Sequence, residues 1–513
     1  MKRINFLLSF FIAAALQACS GGIPGYTLVS GKVTDASTGK AISGVQVSDG
    51  IQIVSTDKRG RYSLQSDCSA ARNVFVIMPS EYDFSVNEWG GWADYRAIDT
   101  TAVKQTVDFK LTPRDDADGK VRFLLLGDPQ QMSSRPHSGL SWKYVCDGIS
   151  EYRKGYDGPL YMISLGDMVT NEIEVEGRAE EFLEVMKTCG VTAFCTPGNH
   201  DHIQKAPTYY DSVTGFCRWF GPYNYSFNVG GVHFVFLDSC AWRETPDVKL
   251  TEGFNVEAIN YLERDLESVD METPVLIFTH CPMTKKYGGL FADSQLNFER
   301  FIKALEGRNV NCWYGHIHSG ANYSYTPEEL LTHAPGVRSL ESHLVARCGG
   351  CWACSGEVAR DGTPRGFVEL DIDGTDMHWQ FHSIDSNYGS VMSVCLPGEF
   401  RGEKLPSVKE NALYCNIYMW DNLWATPQIW IDGKKVAEMT KSVSDKYDAT
   451  IDPRYAHFYP IWKNEGRMVP RDEPSRLYDN CHLFEYLPEK GVNKVEIRVT
   501  DRWGQTYAQE VNW

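Results

Sequence analysis

The sequence has no long apolar run and no surplus of positive charge. No apolar stretch approaches the roughly 18 residues that a membrane-spanning helix needs, which argues against an integral membrane protein. The 67 acidic residues outnumber the 50 basic residues and give a net charge of -17, the wrong sign for a surface that binds nucleic acid or anionic lipid. A hydrophobic content of 42% excludes a wholly disordered or fibrous chain. A length of 513 residues predicts about three domains.

The N-terminus is typical of an export signal. Lys2 and Arg3 precede an apolar run over residues 6–16, which has the length of the hydrophobic segment of a secretory signal. The run ends in Leu-Gln-Ala-Cys, which resembles a bacterial lipoprotein signal and implies cleavage before Cys19 and lipidation of that residue. A plain signal peptide with an incidental cysteine is the alternative. We expect residues 1–18 to be absent from the mature protein.

The same signal predicts the location of the mature protein. An exported lipoprotein would be attached to the bacterial envelope through the lipid on Cys19 alone. The residues after Cys19 are Ser-Gly-Gly and lack an acidic run, which favours a periplasm-facing anchor in the outer membrane over surface display.

Disulfide bonds are permitted by the cysteine content. The other 14 of the 15 cysteines form an even number in an exported chain, and the sequence leaves their connectivity open. Cys348, Cys351 and Cys354 have C-x2-C-x2-C spacing, which is compatible with an iron–sulfur or zinc site. A convincing fourth ligand is missing nearby, and export disfavours a labile cluster. Bridged or buried thiols are therefore the expectation.

Three segments differ in the pattern of their apolar residues. Residues 26–113 contain short alternating runs separated by turn residues, which predicts an all-β sandwich and resembles the immunoglobulin-like and carboxypeptidase-regulatory-like modules of exported bacterial proteins. Residues 119–385 predict a layered α/β domain with mixed sheets. Residues 395–513 predict a C-terminal β-sandwich accessory domain. The acidic stretch at residues 115–119 lacks the later ligands of a calcium loop and predicts a linker.

The α/β segment combines apolar strands with helix-capable stretches. The predicted elements are strands at 121–126, 160–165, 191–196, 275–279 and 310–314, helices at 178–188, 256–266 and 296–305, and a hairpin over 223–238. Ligand sites of such sheets gather at the carboxyl ends of the strands. Polar residues with suitable side chains follow the predicted strands in five blocks: Asp128 and Gln130; Asp167; Asn199, His200 and Asp201; His280; His316 and His318. In this order the five blocks resemble the signature of the calcineurin-like metallophosphoesterases, over residues 121–383.

The resemblance implies a calcineurin-like fold and a site for two metal ions. Two divalent ions about 3.5 to 4 Å apart need a shared carboxylate, and Asp167 is the natural bridge. The implied ligands are Asp128, Gln130, Asp167 and His318 for one ion, and Asp167, Asn199, His280 and His316 for the other. A hydroxide held between the ions would attack phosphorus. His200, oriented by Asp201, would stabilise charge on the phosphoryl oxygens and protonate the leaving oxygen.

Gln130 departs from the family's pattern, which usually has histidine at this position. An amide oxygen is neutral, harder and weaker than imidazole as a ligand, so the site should prefer ions that favour oxygen. We expect two divalent ions with Mn2+ favoured, while Fe, Zn2+ and Mg2+ are alternatives. Some branches of the family share the Asp-Pro-Gln sequence, and the other ligands are present, so activity is the expectation.

Other motifs compete for a functional role. Residues 371–375 match the D-x-D-G-T nucleophile motif of haloacid-dehalogenase-like phosphatases, but alternating apolar residues on both sides predict a hairpin turn. Residues 361–364 resemble a loop of exported family members that approaches the site, with a plain turn as the alternative. Four tryptophans fall in or near loops expected around the metals, where they would stack on substrate or pack: Trp219, Trp242, Trp313 and Trp352.

The sequence therefore predicts a metal-dependent hydrolase of phosphate diesters or monoesters. Expected substrates are phosphorylated small molecules, phospholipid head groups or glycans, with no nucleic acid and with membrane contact only through the lipid anchor. One alternative is a retired enzyme that acts as a glycan- or ligand-binding scaffold, which the presence of Asp167, Asn199 and His280 disfavours. Another is a thiol redox or cluster-binding protein built on the three clustered cysteines, which would absorb visible light or have readily titrated thiols.

Overall fold

The computed structural model describes residues 23–115, 119–133, 136–242, 250–285, 290–291, 296–349, 359, 361–385, 391–399, 409–442 and 481–513. Several predicted features lie outside the described residues, namely the signal peptide of residues 1–18, Cys19, residues 116–118 of the linker, Cys351, Trp352 and Cys354. Within the described ranges, no helix has the length and apolar character needed to cross a membrane.

The N-terminal segment folds into two sheets. Its strands are β1 (Tyr26–Asp35), β2 (Gln46–Ser48), β3 (Ile53–Ser55), β4 (Arg61–Asp67), β5 (Asn73–Ile77), β6 (Tyr82–Asp83), β7 (Tyr95–Ala97), β8 (Lys104–Thr106) and β9 (Phe109–Pro113). One sheet has the order β4-β1-β9-β6 with β8 beside β1, and the other has the order β3-β2-β5-β7. Alternation along β1 and β4 buries Val29, Tyr62 and Leu64 and exposes their neighbours, as a sandwich requires.

The central segment contains two mixed sheets with helices. Its strands are β10 (Val121–Leu126), β11 (Leu160–Ser164), β12 (Thr192–Cys195), β13 (Tyr225–Val229), β14 (Val232–Phe236), β15 (Cys240–Trp242), β16 (Leu250–Glu252), β17 (Val275–Phe278), β18 (Thr284–Lys285), β19 (Leu290–Phe291), β20 (Asn309–Tyr314), β21 (Ala321–Ser324), β22 (Ser339–Leu344), β23 (Gly366–Asp373) and β24 (Asp376–Ser383). Its helices are α1 (Pro136–Lys154), α2 (Arg178–Lys187), α3 (Tyr209–Ser212), α4 (Thr214–Trp219), α5 (Val256–Leu266), α6 (Phe298–Ala304) and α7 (Pro327–His333). The two large sheets have the orders β12-β11-β10-β23-β24 and β13-β14-β17-β20-β22-β21.

Strand β10 is apolar almost throughout because both of its faces are covered. Phe123 and Leu125 pack between the two sheets, where the ring of Phe123 lies 4.9 Å from that of Phe234 on β14. Leu124 and Leu126 belong to a second core that includes residues of α1 and α2. A strand with apolar neighbours on both sides needs apolar residues at successive positions.

Both predicted hairpins of the central segment are confirmed. Strands β13 and β14 pair antiparallel across Gly230, which has a φ of 57°, and Gly231. Strands β23 and β24 pair antiparallel down to Asp373 opposite Asp376. Asp371 lies in β23 and forms ion pairs with Arg122 and Lys120, both at 2.6 Å. The D-x-D-G-T segment is therefore a hairpin whose first carboxylate has a structural role.

The described residues of the C-terminal segment form two four-stranded sheets. Their strands are β25 (Met392–Cys395), β26 (Leu413–Ile417), β27 (Gln428–Ile431), β28 (Lys434–Glu438), β29 (Thr440–Lys441), β30 (Leu483–Tyr486), β31 (Lys494–Thr500) and β32 (Thr506–Asn512). Their orders are β25-β26-β30-β29 and β28-β27-β31-β32. Leu413 and Ile417 from the first sheet and Ile429, Ile497 and Val499 from the second share one buried core.

The N-terminal sheets cover an edge of the central domain. The backbone N–H of Trp92 donates to the carbonyl of Ala193 in β12 at 3.0 Å, and the Trp92 ring stacks on Tyr225 at 4.9 Å. One continuous hydrophobic core includes residues of both segments. The contact protects the edge strand β12, whose backbone groups would otherwise be open to another chain.

Candidate metal centre

The residues predicted for the site follow five strands at the carboxyl edges of the two sheets. Strands β10, β11 and β12 are parallel in one sheet, and β17 and β20 are parallel in the other, so the loops after them meet. The loop after each strand carries, in the same order, Asp128 and Gln130; Asp167; Asn199, His200 and Asp201; His280; His316 and His318.

Asp167 lies at the centre of these loops and is almost fully buried. Its Oδ2 accepts a hydrogen bond from Gln130 Nε2 at 2.8 Å and lies 3.3 Å from His280 Nε2. This carboxylate belongs to two groups of potential metal ligands. Within each group, the ligand atoms all lie within 4.8 Å of one another. The groups are Asp128, Asp167 and His318, and Asp167, His280 and His316. A carboxylate common to two neighbouring groups is what a dinuclear metal site needs.

The two histidines of the H-x-H block face different groups. His318 Nε2 lies 3.3 Å from Asp128 Oδ1, whereas His316 Nδ1 lies 3.1 Å from His280 Nε2. The backbone N–H of His316 also donates to Asp128 Oδ2 at 2.9 Å. His316 Nε2 is 3.4 Å from Glu252, an acid on β16 that sequence reasoning missed because its strand is remote in the chain.

The environment of His280 fits a bound cation. His280 Nδ1 donates to the carbonyl of Leu165 at 2.7 Å, so Nε2 carries the lone pair when the ring is neutral. That nitrogen faces Asn199 Oδ1 at 3.2 Å as well as Asp167 and His316. Burial alone would lower the pKa of His280, but the Asp167 carboxylate outweighs burial and raises the pKa well above its usual value. The nitrogen and oxygen atoms that surround His280 Nε2 are ligands that suit divalent metal ions.

Gln130 adds a further unsatisfied acceptor. The side chain is 1% exposed, and its Oε1 has no hydrogen-bond partner in the described part of the structure. A buried amide oxygen without a partner is costly, and a cation would satisfy it. The donor set of carboxylate, amide and imidazole therefore fits divalent metals at both groups.

Strained backbone is concentrated at the site. Among the described residues, nine other than glycine have positive φ, and five of them are predicted ligands: Asp128, Gln130, Asp167, His316 and His318. Such conformations are unfavourable for residues with a Cβ and persist where the surrounding structure enforces them, as at functional sites. Glycines allow the loops to approach one another, since a Cβ on Gly198 would lie 2.2 Å from Asp167 Oδ1.

The expectation that Asp201 orients His200 is wrong. Asp201 Oδ1 accepts the N–H groups of Met168 and Val169, and Oδ2 accepts that of Gly198. Burial, followed by the nearby Asp167 charge, raises the pKa of Asp201 to about 7. Asp201 thus joins the loops after β11 and β12.

Asn171 contacts the imidazole ring of His200. Asn171 Oδ1 lies 2.8 Å from His200 Nδ1, and the backbone N–H of Asn171 donates to the His200 carbonyl at 3.0 Å. Asn171 has a φ of 57° and is therefore another residue with strained backbone near the predicted ligands. Sequence reasoning missed Asn171 because it lies outside the five blocks.

The predicted loop of residues 361–364 reaches the segment after the H-x-H block. Asp361 Oδ2 accepts the backbone N–H of Gly320 and lies 3.2 Å from His482 Nε2 of the C-terminal domain. All of these groups are buried. Like Glu252, His482 was missed by sequence reasoning because it is far along the chain from the residues that it contacts.

Two of the predicted tryptophans pack against other rings, which is one of the two roles expected for them. Trp313 is fully buried within β20 and stacks on His343 at 4.0 Å, which is the packing role of the two expected. Trp219 ends α4 and packs against Trp89 at 6.4 Å. Trp242 lies at the end of β15 and is half-buried.

Comparison with solved structures gives distant likenesses. A dimetal phosphatase from Danio rerio is 17% identical, with a TM-score of 0.36 over 52% of this chain and 96% of the other. The purple acid phosphatase PPD1 from yellow lupin is 12% identical, with a TM-score of 0.37 over 67% and 68%. A 5'-nucleotidase precursor from Thermus thermophilus is 12% identical, with a TM-score of 0.29 over 51% and 54%. Comparison with curated protein sequences gives no match.

Three family models match the chain in succession and together take in most of it. The model for the N terminal of calcineurin-like phosphoesterase matches residues 27–114, that for calcineurin-like phosphoesterase matches residues 121–320, and that for the C terminal of calcineurin-like phosphoesterase matches residues 341–507. The order of the matches follows the N-terminal, central and C-terminal segments of the fold. The chain therefore belongs to the calcineurin-like phosphoesterases, a family of phosphoric ester hydrolases with this fold.

Proposed function

We propose that the protein hydrolyses phosphate esters at a dinuclear metal centre. The observation that carries the proposal is the pair of ligand groups that share Asp167. The proposed ligands are Asp128, Gln130, Asp167 and His318 for one ion, and Asp167, Asn199, His280 and His316 for the other. When bound, two divalent ions supply an activated water and neutralise the charge on the phosphoryl group.

The chain's own residues hold this centre in shape. Leu165 fixes the ring of His280 through Nδ1, which leaves Nε2 as the donor atom. Asp201 fixes the loops that carry Asp167 and Asn199 through three backbone N–H groups. Because these contacts lie in the interior, the donors are positioned before a ligand binds, and little reorganisation is needed.

His200 is proposed as the residue that acts on the leaving group. It is half-buried, next to Asp167, and Nδ1 is engaged with Asn171. In the protonated ring, Nδ1 donates to Asn171 and Nε2–H is available for an oxygen of the substrate. Proton transfer to the leaving oxygen suits diesters as well as monoesters.

Manganese is the proposed metal. Gln130 supplies a neutral amide oxygen where an imidazole would favour zinc, and the first group otherwise contains two carboxylates and one histidine. Oxygen-rich sites suit Mn2+ and Mg2+ better than softer sites do.

The proposed setting is the bacterial envelope. A lipid on Cys19 would place the enzyme on the periplasmic side of the outer membrane, where phosphorylated small molecules, phospholipid head groups and phosphorylated glycans are available. The excess of acidic over basic residues, 67 to 50, supports a substrate other than nucleic acid.

The test compares p-nitrophenyl phosphate with bis-p-nitrophenyl phosphate as reporters for the purified protein with added Mn2+. Asp167→Asn should abolish hydrolysis because both ligand groups lose their shared carboxylate. His200→Ala should lower kcat by roughly 10²- to 10⁴-fold, the usual contribution of a general acid. Asp376→Asn, an exposed acid in the β23–β24 turn, is the control and should leave both activity and metal content unchanged.

Metal removal provides the decisive contrast. Hydrolysis that persists after exhaustive chelation, with less than one metal ion per chain, would overturn the mechanism. Bound metal without hydrolysis of either reporter would favour the alternative, a catalytically inactive protein that acts as a binding scaffold. Preference for the diester or the monoester would direct the search for the natural substrate.

A further inference from the structure

A buried contact between the C-terminal and central domains lies next to the H-x-H block. His482 directly precedes β30 of the C-terminal domain, and its Nε2 lies 3.2 Å from Oδ2 of Asp361 in the central domain. The same Oδ2 accepts the backbone N–H of Gly320, two residues after His318. His482 and Asp361 are each 1% exposed, so the C-terminal domain reaches the loop of a proposed metal ligand through the interior.

The side chain of Asn416 defines the hydrogen atoms on the His482 ring. Asn416 lies on β26 and donates through Nδ2 to the backbone carbonyl of Asp361, so the atom that faces His482 Nδ1 is the acceptor Oδ1. His482 Nδ1 therefore carries a hydrogen. Nε2 needs one as well, because a lone pair facing the Asp361 carboxylate in the interior is unfavourable. With both hydrogens, the ring is a cation paired with Asp361.

Asp361 accepts further hydrogen bonds that fix its orientation. Thr363 Oγ1 donates to Oδ2 at 3.0 Å, and the backbone N–H of Thr363 donates to Oδ1 at 3.1 Å. A Cβ on Gly320 would lie 3.4 Å from Asp361 Oδ2 and 3.7 Å from His482 Nε2, so the backbone of the loop passes close to both side chains. Hydrogen bonds that involve a charged group are stronger than neutral ones, so the pair holds Gly320 firmly.

The H-x-H block needs this support because its backbone is strained. His316 has a φ of 73° and His318 a φ of 64°. Such conformations persist where the surrounding contacts enforce them. The backbone N–H of His316 donates to Asp128 Oδ2 at 2.9 Å, and that of Gly320 donates to Asp361. Two carboxylates thus hold the block on either side of His318.

We propose that His482 is a positioning residue for the metal centre. Through Asp361 and Gly320, it holds His318 in the orientation that binds the first ion. The inference rests on the proposed function, because that function assigns His318 to a metal ion. Residues that orient a metal ligand contribute about 10- to 100-fold to metal affinity or activity. The C-terminal domain therefore contributes to the affinity of one of the two ions.

Two substitutions of His482 distinguish its contacts. In His482→Gln, the amide Nε2 takes the place of the ring Nε2 and donates to Asp361. In His482→Asn, the shorter side chain reaches only to the position of the ring Nδ1 and loses the contact with Asp361. Both side chains are neutral amides, so the pair differs in the contact that the proposal requires.

Mn2+ binding measures the effect without relying on activity. The metal-free protein is titrated with Mn2+, and the free ion is followed by electron paramagnetic resonance. We expect two ions per chain in the wild type, and one of them bound about 10- to 100-fold more weakly in His482→Asn. His482→Gln should retain most of the affinity for both ions.

Kinetics separate positioning from general damage to the fold. In His482→Asn, reporter hydrolysis should fall at limiting Mn2+ and return at saturating Mn2+ with kcat near that of the wild type, because the ligands themselves are kept. Arg502→Met is the control, since it removes another contact between the same two domains, the ion pair with Glu341 on β22. Below its first unfolding transition, its Mn2+ affinities should equal those of the wild type.

Hydrogen exchange of the metal-free wild type provides a test that needs no variant. The amide of Gly320, resolved by overlapping peptic fragments, should exchange slowly because it donates to Asp361. Rapid exchange of this amide overturns the proposal. Unchanged Mn2+ affinities in His482→Asn, an equal loss in His482→Gln or Arg502→Met, or activity that excess Mn2+ does not restore would also overturn it. A wild type that binds no Mn2+ would instead overturn the dinuclear centre itself, and this inference with it.

Discussion

The orientation of His200 depends on one neighbouring side chain. Asn171 meets the ring at Nδ1 and also donates its backbone N–H to the His200 carbonyl. We expect Asn171→Ala to lower kcat with KM nearly unchanged, because the imidazole loses its orientation while the proposed metal ligands are kept. The loss should be smaller than the roughly 10²- to 10⁴-fold loss in His200→Ala. Steady-state kinetics on the preferred reporter measure both.

The control for this substitution has the same backbone conformation. Asn297 also has a positive φ, 59°, but it precedes α6 and bonds to the carbonyl of Phe254. Asn297→Ala should therefore reproduce any effect of backbone strain and leave kcat unchanged. If Asn171→Ala and Asn297→Ala were equally active, the positioning role of Asn171 would be refuted.

At this scale, the sequence predicts residue types better than side-chain directions. Metal-ligating residues after apolar strands were recognisable because ligands gather at strand ends. The direction of the Asp201 carboxylate depends on the amides of Met168 and Val169, which only the fold brings near. Trp313 takes the packing role, one of the two expected for it, but its partner His343 lies on a strand that the sequence did not identify.

Among the elements, the longer ones with a clear pattern of apolar residues were the most predictable. Strand β10 and helix α5 have the predicted bounds because their apolar residues follow the covered faces. The short strands β15 and β16 were not predicted, since three residues each give no period to detect. They pair antiparallel with each other, with Cys240 opposite Glu252.

The β23–β24 hairpin gives a prediction at the scale of the element. Asp371 binds the Arg122 guanidinium at 2.6 Å and 2.8 Å and also contacts Lys120. Asp371→Asn should retain phosphoesterase activity and lower the free energy of unfolding by about 1.5–3 kcal/mol, the range for hydrogen bonds to charged groups. Urea unfolding and reporter hydrolysis measure the two effects. A nucleophile at Asp371 would require the opposite, namely loss of activity.

The pH dependence of this effect follows from the pKa of Asp371. Burial alone would raise that pKa, but Arg122 and Lys120 hold it below its ordinary value. The ionised carboxylate therefore stabilises the fold above the unfolded pKa of about 3.9, and the stabilisation is lost as pH falls through the lower folded pKa. The difference in stability between wild type and Asp371→Asn should be constant near neutral pH and shrink below about pH 4. Asp373→Asn, exposed in the same hairpin, should show no such trend.

Across the whole molecule, the accessory domains are more than spacers. The N-terminal sheets share a hydrophobic core with the central domain through contacts such as Trp92 on Tyr225. The C-terminal domain places His482 against Asp361, which in turn binds the backbone after the H-x-H block. Segment composition predicted three domains, but it carried no signal for these contacts because they join residues far apart in the chain.

Arg502 provides the last prediction, at the boundary between the central and C-terminal domains. Its Nη1 lies 2.8 Å and 2.7 Å from the two carboxylate oxygens of Glu341, and its Nη2 lies 2.8 Å from Asp421 Oδ2. The guanidinium also packs over Trp379 at 4.7 Å. Arg502→Met would leave two largely buried carboxylates without a cation, at a cost on the order of 3–5 kcal/mol.

We therefore expect Arg502→Met to separate the unfolding of the C-terminal domain from that of the rest. Calorimetry should show an added transition at lower temperature, with reporter hydrolysis retained below it, because the proposed metal ligands lie in the central domain. Arg498→Met is the matched control, since its partner Glu496 lies on the same strand and the pair does not join domains. One transition at the wild-type temperature in both variants would show that the two domains are held together by other contacts.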